Sequence, residues 1–232
     1  MKNKKETNPE LSCEFCKRSF LRETTFVKHI CEYKHRWLEK DRRGNQLGYQ
    51  SFVQFYKKHS AAKNEKTYLE FIKSAYYTAF VKFGNYCIEI NALNVPRLVD
   101  YYLKENIKLD TWTSDSNYTK YLIDYLKTEN HLDAVNRSIE FCADRSVEEN
   151  TQPNDYLRYG NTNKICHAIT TGKISPWVLY HSESGTKFLD SLTEDLIKLV
   201  YEYINPVQWA IKFSKQEEEV TEVKSLLSEL KW

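Results

Sequence analysis

The sequence lacks the features by which a chain of 232 residues most often declares a membrane, a secretory route or a nucleotide chemistry. No apolar run approaches the roughly 18–20 residues needed to cross a bilayer. The first ten residues, MKNKKETNPE, carry lysines with no apolar stretch behind them, so no secretory signal is expected there and the expected location is intracellular. There is no GxxxxGK[ST] phosphate loop, no HExxH metalloprotease pair, no GxSxG nucleophile turn and no carboxylate cluster suited to two-metal chemistry. Internal repeats, low-complexity tracts and long linkers are also missing. Methionine occurs once, at the start, whereas tyrosine occurs seventeen times, so the core is expected to be aromatic, with phenol groups at its edges. A single segment, Tyr86–Ile90, reads as a strand, and one strand makes no sheet.

What is present fits a soluble globular protein: 41% hydrophobic and 28% charged residues are enough for a sizeable core and too apolar for a disordered chain. Six cysteines in an intracellular chain point to metal binding or free thiols rather than to disulfides. Cys13, Cys16 and Cys31 crowd together, while Cys87, Cys142 and Cys166 are scattered. The net charge of +2 hides an asymmetry. Residues 1–60 hold fourteen Lys or Arg against seven Asp or Glu, a net of +7, and the remainder holds twenty against twenty-five, a net of −5. A basic head on an acidic body directs any polyanion to the head; the alternative is a head that is merely well solvated.

Leu11 to His35 reads LSCEFCKRSFLRETTFVKHICEYKH. Cys13-x2-Cys16 can place two thiolates on one metal. Phe20, Phe26, His29 and His35 follow, and the six positions together resemble the Cys2His2 zinc finger family over about 25 residues. The resemblance implies Zn²⁺ held by Cys13, Cys16, His29 and His35, a hairpin carrying the cysteines, and a helix carrying the histidines. So short a segment cannot bury enough apolar surface to fold without its metal. The six-residue histidine spacing departs from one helical face, so the helix must loosen before His35. Cys31, two residues from His29, points to the other side of such a helix and is expected to be a free buried thiol.

By the same resemblance, the base-reading positions fall on Arg22, Thr24, Thr25 and Lys28. Arg22 suits guanine, and Lys28 suits a guanine or a phosphate. Lys17, Arg18, Lys34, Arg36, Arg42 and Arg43 would line the phosphate backbone. One finger spans about 3 bp, too little for a specific site by itself. The body then adds contacts, or the finger meets a protein, or zinc only staples the N-terminus to the body.

Beyond the finger the chain reads as helices. Thr67 to Glu70 forms a capping box, leading a helix with Leu69, Ile72, Tyr76, Phe80 and Phe83 on one face and closed by Gly84. Asn94 precedes another helix, and residues 118–126 and 132–141 give two more. Ser175-Pro176 and Asn205-Pro206 combine a cap with proline at the first helical position. Thr193-Glu194-Asp195 starts a helix, and Ser214 with Glu217 reads as a second capping box. The fold class expected is mainly α: a ββα-type zinc finger with basic flanks over residues 1–40, and one α-helical domain over 46–232, divided near Asp41–Gln46. The body is also similar to uncharacterised finger-bearing proteins of tailed bacteriophages, a resemblance that carries no activity but implies a viral origin. The location is then the host cytoplasm, or the nucleus if the chain is eukaryotic.

The expected function is zinc-dependent nucleic-acid binding without catalysis, DNA before RNA, with no membrane partner. The alternative is an adaptor whose helical body meets a protein in a nucleic-acid-processing or transcription complex. A third reading, an enzyme acting on nucleic acid or nucleotides with the finger as a substrate clamp, would use residues 159–187, where Lys164, Cys166 and His167 lie close in sequence. Adjacent residues do not face each other on a helix, so Cys166-His167 is not a dyad by itself. Lys164, Lys173, His181 and Lys187 with Trp177 could extend a nucleic-acid surface; Trp177 fits a core anchor equally well.

Overall fold

The computed structural model describes residues 11–59 and 65–232. It is mainly helical, and among the described residues the sole β pairing is one antiparallel bridge between Ser12 and Ser19. The first helices are α1 (Glu23–Val27), α2 (Glu32–Leu38), α3 (Arg43–His59), α4 (Tyr68–Lys73), α5 (Tyr77–Glu89) and α6 (Val95–Lys104). They are followed by α7 (Asp115–Thr128), α8 (His131–Glu149), α9 (Tyr156–Tyr159), α10 (Thr162–Thr170) and α11 (Pro176–His181). The last four are α12 (Glu183–Asp190), α13 (Glu194–Ile204), α14 (Pro206–Lys215) and α15 (Glu217–Glu229). The chain forms two compact units, the first ending at Tyr118 and the second running from Thr119 to Trp232, with the division inside α7. The stretch Asp41–Gln46 runs into the start of α3.

The first unit is organised by aromatic rings. Trp112 is fully buried against Phe80, Phe83 and Tyr102 at ring separations of 5.8, 5.1 and 5.5 Å, and its indole N–H donates to the Ile107 carbonyl at 2.9 Å. Phe52 joins Phe71 and Phe80 at 5.0 and 5.6 Å. The capping box at Thr67 and Glu70 is formed, and Asn94 caps α6 through the Arg97 amide.

The expected helix from residue 67 to 83 is instead two. Ser74 turns to an extended conformation (ψ 141°), ending α4, and its hydroxyl accepts from the Tyr76 amide. Gly84 does not close the second helix. The helix runs on through it, and the segment expected as a strand, Tyr86–Ile90, lies in its last turn and C-cap. Phe80, Phe83, Gly84 and Cys87 are all buried, a 3–4 residue spacing that outweighs the alternation of Tyr86, Ile88 and Ile90.

Gly84 is there for close approach. A Cβ on it would sit 2.1 Å from the Gly44 carbonyl oxygen and 2.7 Å from the Gly48 amide nitrogen, where α3 crosses α5. In an exposed helix Gly→Ala stabilises by ~1 kcal/mol. Here the sign reverses, because the obstruction is backbone: Gly84→Ala is expected to cost at least ~2 kcal/mol in chemical denaturation. An unchanged or raised unfolding midpoint would show that α3 and α5 are not this close.

In the second unit, Ser175-Pro176 and Asn205-Pro206 start α11 and α14 as expected, each cap side chain accepting a backbone N–H. Thr193 precedes α13 without a side-chain cap bond, and Glu194 and Asp195 occupy the first turn. The expected second capping box does not form. Ser214 lies inside α14 with its hydroxyl on the Ile211 carbonyl, and α15 begins after Gln216. Among the described residues, no helix is long and apolar enough to cross a membrane.

Candidate metal centre

The Cys13–Phe20 stretch folds back on itself. The Cys13 amide donates to the Arg18 carbonyl at 2.9 Å, the Lys17 amide to the Cys13 carbonyl at 2.8 Å, and the Phe20 amide to the Leu11 carbonyl at 2.9 Å. Lys17 takes a left-handed conformation (φ 60°), which makes the turn tight enough to bring Cys13 and Cys16 to one side. Phe20 backs the turn, with its ring 4.6 Å from the His29 imidazole and 5.8 Å from Phe26.

The next segment departs from a finger helix. The helix expected to carry both histidines is broken into α1 and α2, and residues 28–31 between them are not helical. Cys31 is the N-cap of α2, in an extended conformation (φ −86°, ψ 166°), and its sulfur accepts from the Lys34 amide. Residues two apart on a helix diverge, but two apart on irregular or extended chain they can face the same point. His29 and Cys31 do so.

Four ligand atoms thus come together, those of Cys13, Cys16, His29 and Cys31, all within 4.8 Å of one another. The Sγ atoms of Cys13 and Cys31 are 3.9 Å apart, and Cys16 Sγ is 3.3 Å from His29 Nε2. Tetrahedral zinc with ordinary bond lengths requires about 3.8 Å between two sulfurs and about 3.6 Å between sulfur and nitrogen. The donor set and its spacing fit a tetrahedral ion of that kind.

His35 is not in the group. It sits one turn into α2, its side chain 61% exposed, with Nδ1 3.4 Å from the Glu39 carboxylate. The geometry therefore exchanges the fourth position: Cys31, expected to be a bystander thiol, stands where His35 was expected.

The thiols are electrostatically linked. Burial pushes the Cys13 thiol up, but backbone N–H groups of Cys16 and Phe15 and the neighbouring thiols outweigh it and hold its pKa below the ordinary value. For Cys16 the Arg18 amide lowers the pKa, while burial and the Cys13 and Cys31 sulfurs raise it to a net increase. Sulfurs this close cannot all ionise cheaply without a cation among them.

The head is tied to the rest of the first unit. An aromatic path runs from Phe15 to Trp37 at 5.8 Å and from Trp37 to Tyr68 at 5.7 Å. Arg36 donates to the Ile72 carbonyl at 2.6 Å, pairs with Glu32 and lies 4.3 Å over the Tyr77 ring. Of the residues expected at a nucleic acid, Arg36 is thus committed inward, and Lys34 is half-buried with Nζ on the His29 carbonyl at 3.3 Å. Lys17, Arg18, Arg22, Thr24, Thr25, Lys28, Arg42 and Arg43 are exposed, Arg42 paired with Glu39 at 2.8 Å. Helix α1 has only five residues, so Lys28 is its C-cap rather than part of a longer reading helix.

The 159–187 segment brings no nucleophile and base together. Cys166 is fully buried with its thiol pushed up by burial, the neighbouring His167 is exposed, and Lys164 pairs with Glu149 at 2.7 Å. Trp177 is a core residue, its ring packed against Phe213 at 4.9 Å and tilted by 57°. No family model matches the chain, and the search for similar curated proteins and solved structures returned no match.

Proposed function

We propose that the protein is a zinc-dependent nucleic-acid-binding protein, with zinc held by Cys13, Cys16, His29 and Cys31 as a structural ion. What supports this is the four-donor cluster, whose spacing fits zinc and which sits in a head where Lys17, Arg18, Arg22, Lys28, Arg42 and Arg43 are exposed. With four protein ligands there is no open coordination position, which fits a structural rather than a catalytic metal. Zinc there supplies a cross-link and neutralises the crowded thiolates; the residues themselves shape the knuckle and present the cations. DNA is the favoured ligand over RNA.

The test is binding to random duplex DNA, single-stranded DNA and RNA across a salt series. Phosphate contacts release counterions, so affinity falls steeply with salt. Arg22→Ala and Lys28→Ala are each expected to reduce the salt slope by about one. No binding at low salt, or slopes untouched by either substitution, contradicts the reading.

One observation favours a protein partner as a second reading. Leu21, Val27, Ile30 and Leu38 are large apolar residues of the head, and each is more than half exposed. Serine at Leu21, Val27 and Ile30 leaves nucleic-acid binding intact under the first reading, and abolishes function without touching it under the second.

A further inference from the structure

The densest run of exposed large apolar side chains among the described residues lies in the second unit, on α13 and α14: Ile197, Leu199, Tyr201, Val207 and Ile211. Contiguous exposed apolar surface of this kind marks a contact. On α13, Ile197 and Tyr201 are one turn apart on one face, 40% and 44% exposed, and the exposed Glu194 stands one turn before them. On α14, Val207 and Ile211 are likewise one turn apart, 64% and 51% exposed, and the exposed Lys215 stands one turn after them. The two faces carry opposite patterns, acid then apolar along α13 and apolar then base along α14.

Beside Ile211 and Lys215 runs an open groove of about 380 Å³, with Trp209 in its wall and Lys127 of α7 also lining it. Among the described residues no carboxylate lines this groove. The Lys212 amine turns inward over Trp177 and Trp209, at 5.0 and 4.7 Å from the rings, and its nitrogen is buried. The charge of the rim therefore comes from Lys127 and Lys215. On α13, Asp195 and Lys198 pair with each other at 3.4 Å, and Glu194 has no ion pair among the described residues.

We propose that these two helices form a two-fold interface between two copies of this chain, α13 of each lying antiparallel along α14 of the other. Glu194 then meets the partner's Lys215, Ile197 the partner's Ile211, and Tyr201 the partner's Val207. The registers agree. From Glu194 the apolar anchors lie three and seven positions on, and from Lys215 they lie four and eight positions back. At about 1.5 Å per residue that is a mismatch of only about 1.5 Å. The antiparallel alignment also sets the positive end of the α13 dipole beside the negative end of the α14 dipole. An unrelated partner would need only one of these faces. Both occur on consecutive helices of one chain, so a single two-fold axis satisfies both contacts and the assembly closes as a dimer. Neither zinc nor nucleic acid enters the contact, so this inference and the reading of the head can fail separately.

Sedimentation equilibrium of the full-length, zinc-loaded, nuclease-treated protein over a concentration series is expected to show a reversible monomer–dimer equilibrium. Ile197→Asp and Ile211→Asp should each raise the dissociation constant at least about tenfold. Glu194→Lys and Lys215→Glu should each weaken the dimer by setting like charges together. Combined in one chain they should restore it, because each pair is remade with its signs exchanged. Val147→Asp, at a position 82% exposed on α8, should leave it unchanged. A monomer at every concentration overturns the proposal. So does a Val147→Asp protein that loses as much association, or a combined charge variant no stronger than the single ones. An association that disappears on nuclease treatment is bridging by nucleic acid and overturns it as well.

Discussion

On the proposed zinc assignment, Cys31→Ser is expected to strip the metal from the head and unfold it, whereas His35→Ala is expected to keep both metal and fold. The expectation follows from which atoms converge: Cys31 Sγ lies 3.9 Å from Cys13 Sγ, and His35 turns out to solvent beside Glu39. Structural zinc contributes on the order of 10 kcal/mol in small domains. Phe15 and Phe20, the buried rings of the head, supply at most ~3 kcal/mol each by burial. Together these two rings fall short of what the ion contributes. Because Phe15 leans on Trp37 and Trp37 on Tyr68, the disturbance reaches α4. Near-ultraviolet circular dichroism during chelation should therefore change in the tryptophan region, and Cys31→Ser should start from the chelated spectrum. A His35→Ala protein that behaves like Cys31→Ser contradicts the assignment.

Arg137→Ala is expected to destabilise the second unit by about 3–5 kcal/mol at neutral pH. Glu129 is 6% exposed, and Arg137 grips it bidentately at 2.6 and 2.9 Å while donating Nε to the Gly172 carbonyl at 2.8 Å. Burial already raises the Glu129 pKa, and Arg137 is the chief counterweight. Without the guanidinium the folded-state pKa rises further, so the folded variant binds a proton that the unfolded chain has released. Stability of the variant then falls as pH rises from the unfolded carboxyl value, about 4.3, toward the raised folded value. The difference from wild type should be largest near neutrality and shrink as pH drops toward 4. Urea denaturation at several pH values reads this directly; a pH-independent difference would mean that Arg137 acts through packing alone.

Local signals survived the passage from sequence to structure where one residue's chemistry decides the outcome. The Thr67–Glu70 box, the Asn94 cap and the two cap-proline starts depend on side chains reaching amides two or three residues away. Cys13, Cys16 and His29 were legible for the same reason. The fourth donor was not, because the finger pattern presumes a continuous helix, and no Gly or Pro marks the break at residues 28–31. The overlooked signal was the short His29-x-Cys31 spacing, which suits chain that has left the helix. Gly84 was misread because a stop and a close helix crossing call for the same residue; only the partner glycines at 44 and 48 distinguish them. The Glu129–Arg137 pair spans a helix boundary and is closed by Ser175 and Gly172 from distant sequence, so no periodicity could reveal it.

X-ray absorption at the zinc edge on the purified full-length protein tests the central claim most directly, because it counts sulfur and nitrogen neighbours without perturbing the site. The arrangement of Cys13, Cys16, His29 and Cys31 predicts one zinc per chain with three sulfurs at about 2.3 Å and one imidazole nitrogen at about 2.0 Å. Two sulfurs and two imidazoles would restore His35 to the site and contradict the account, as would a protein that carries no zinc.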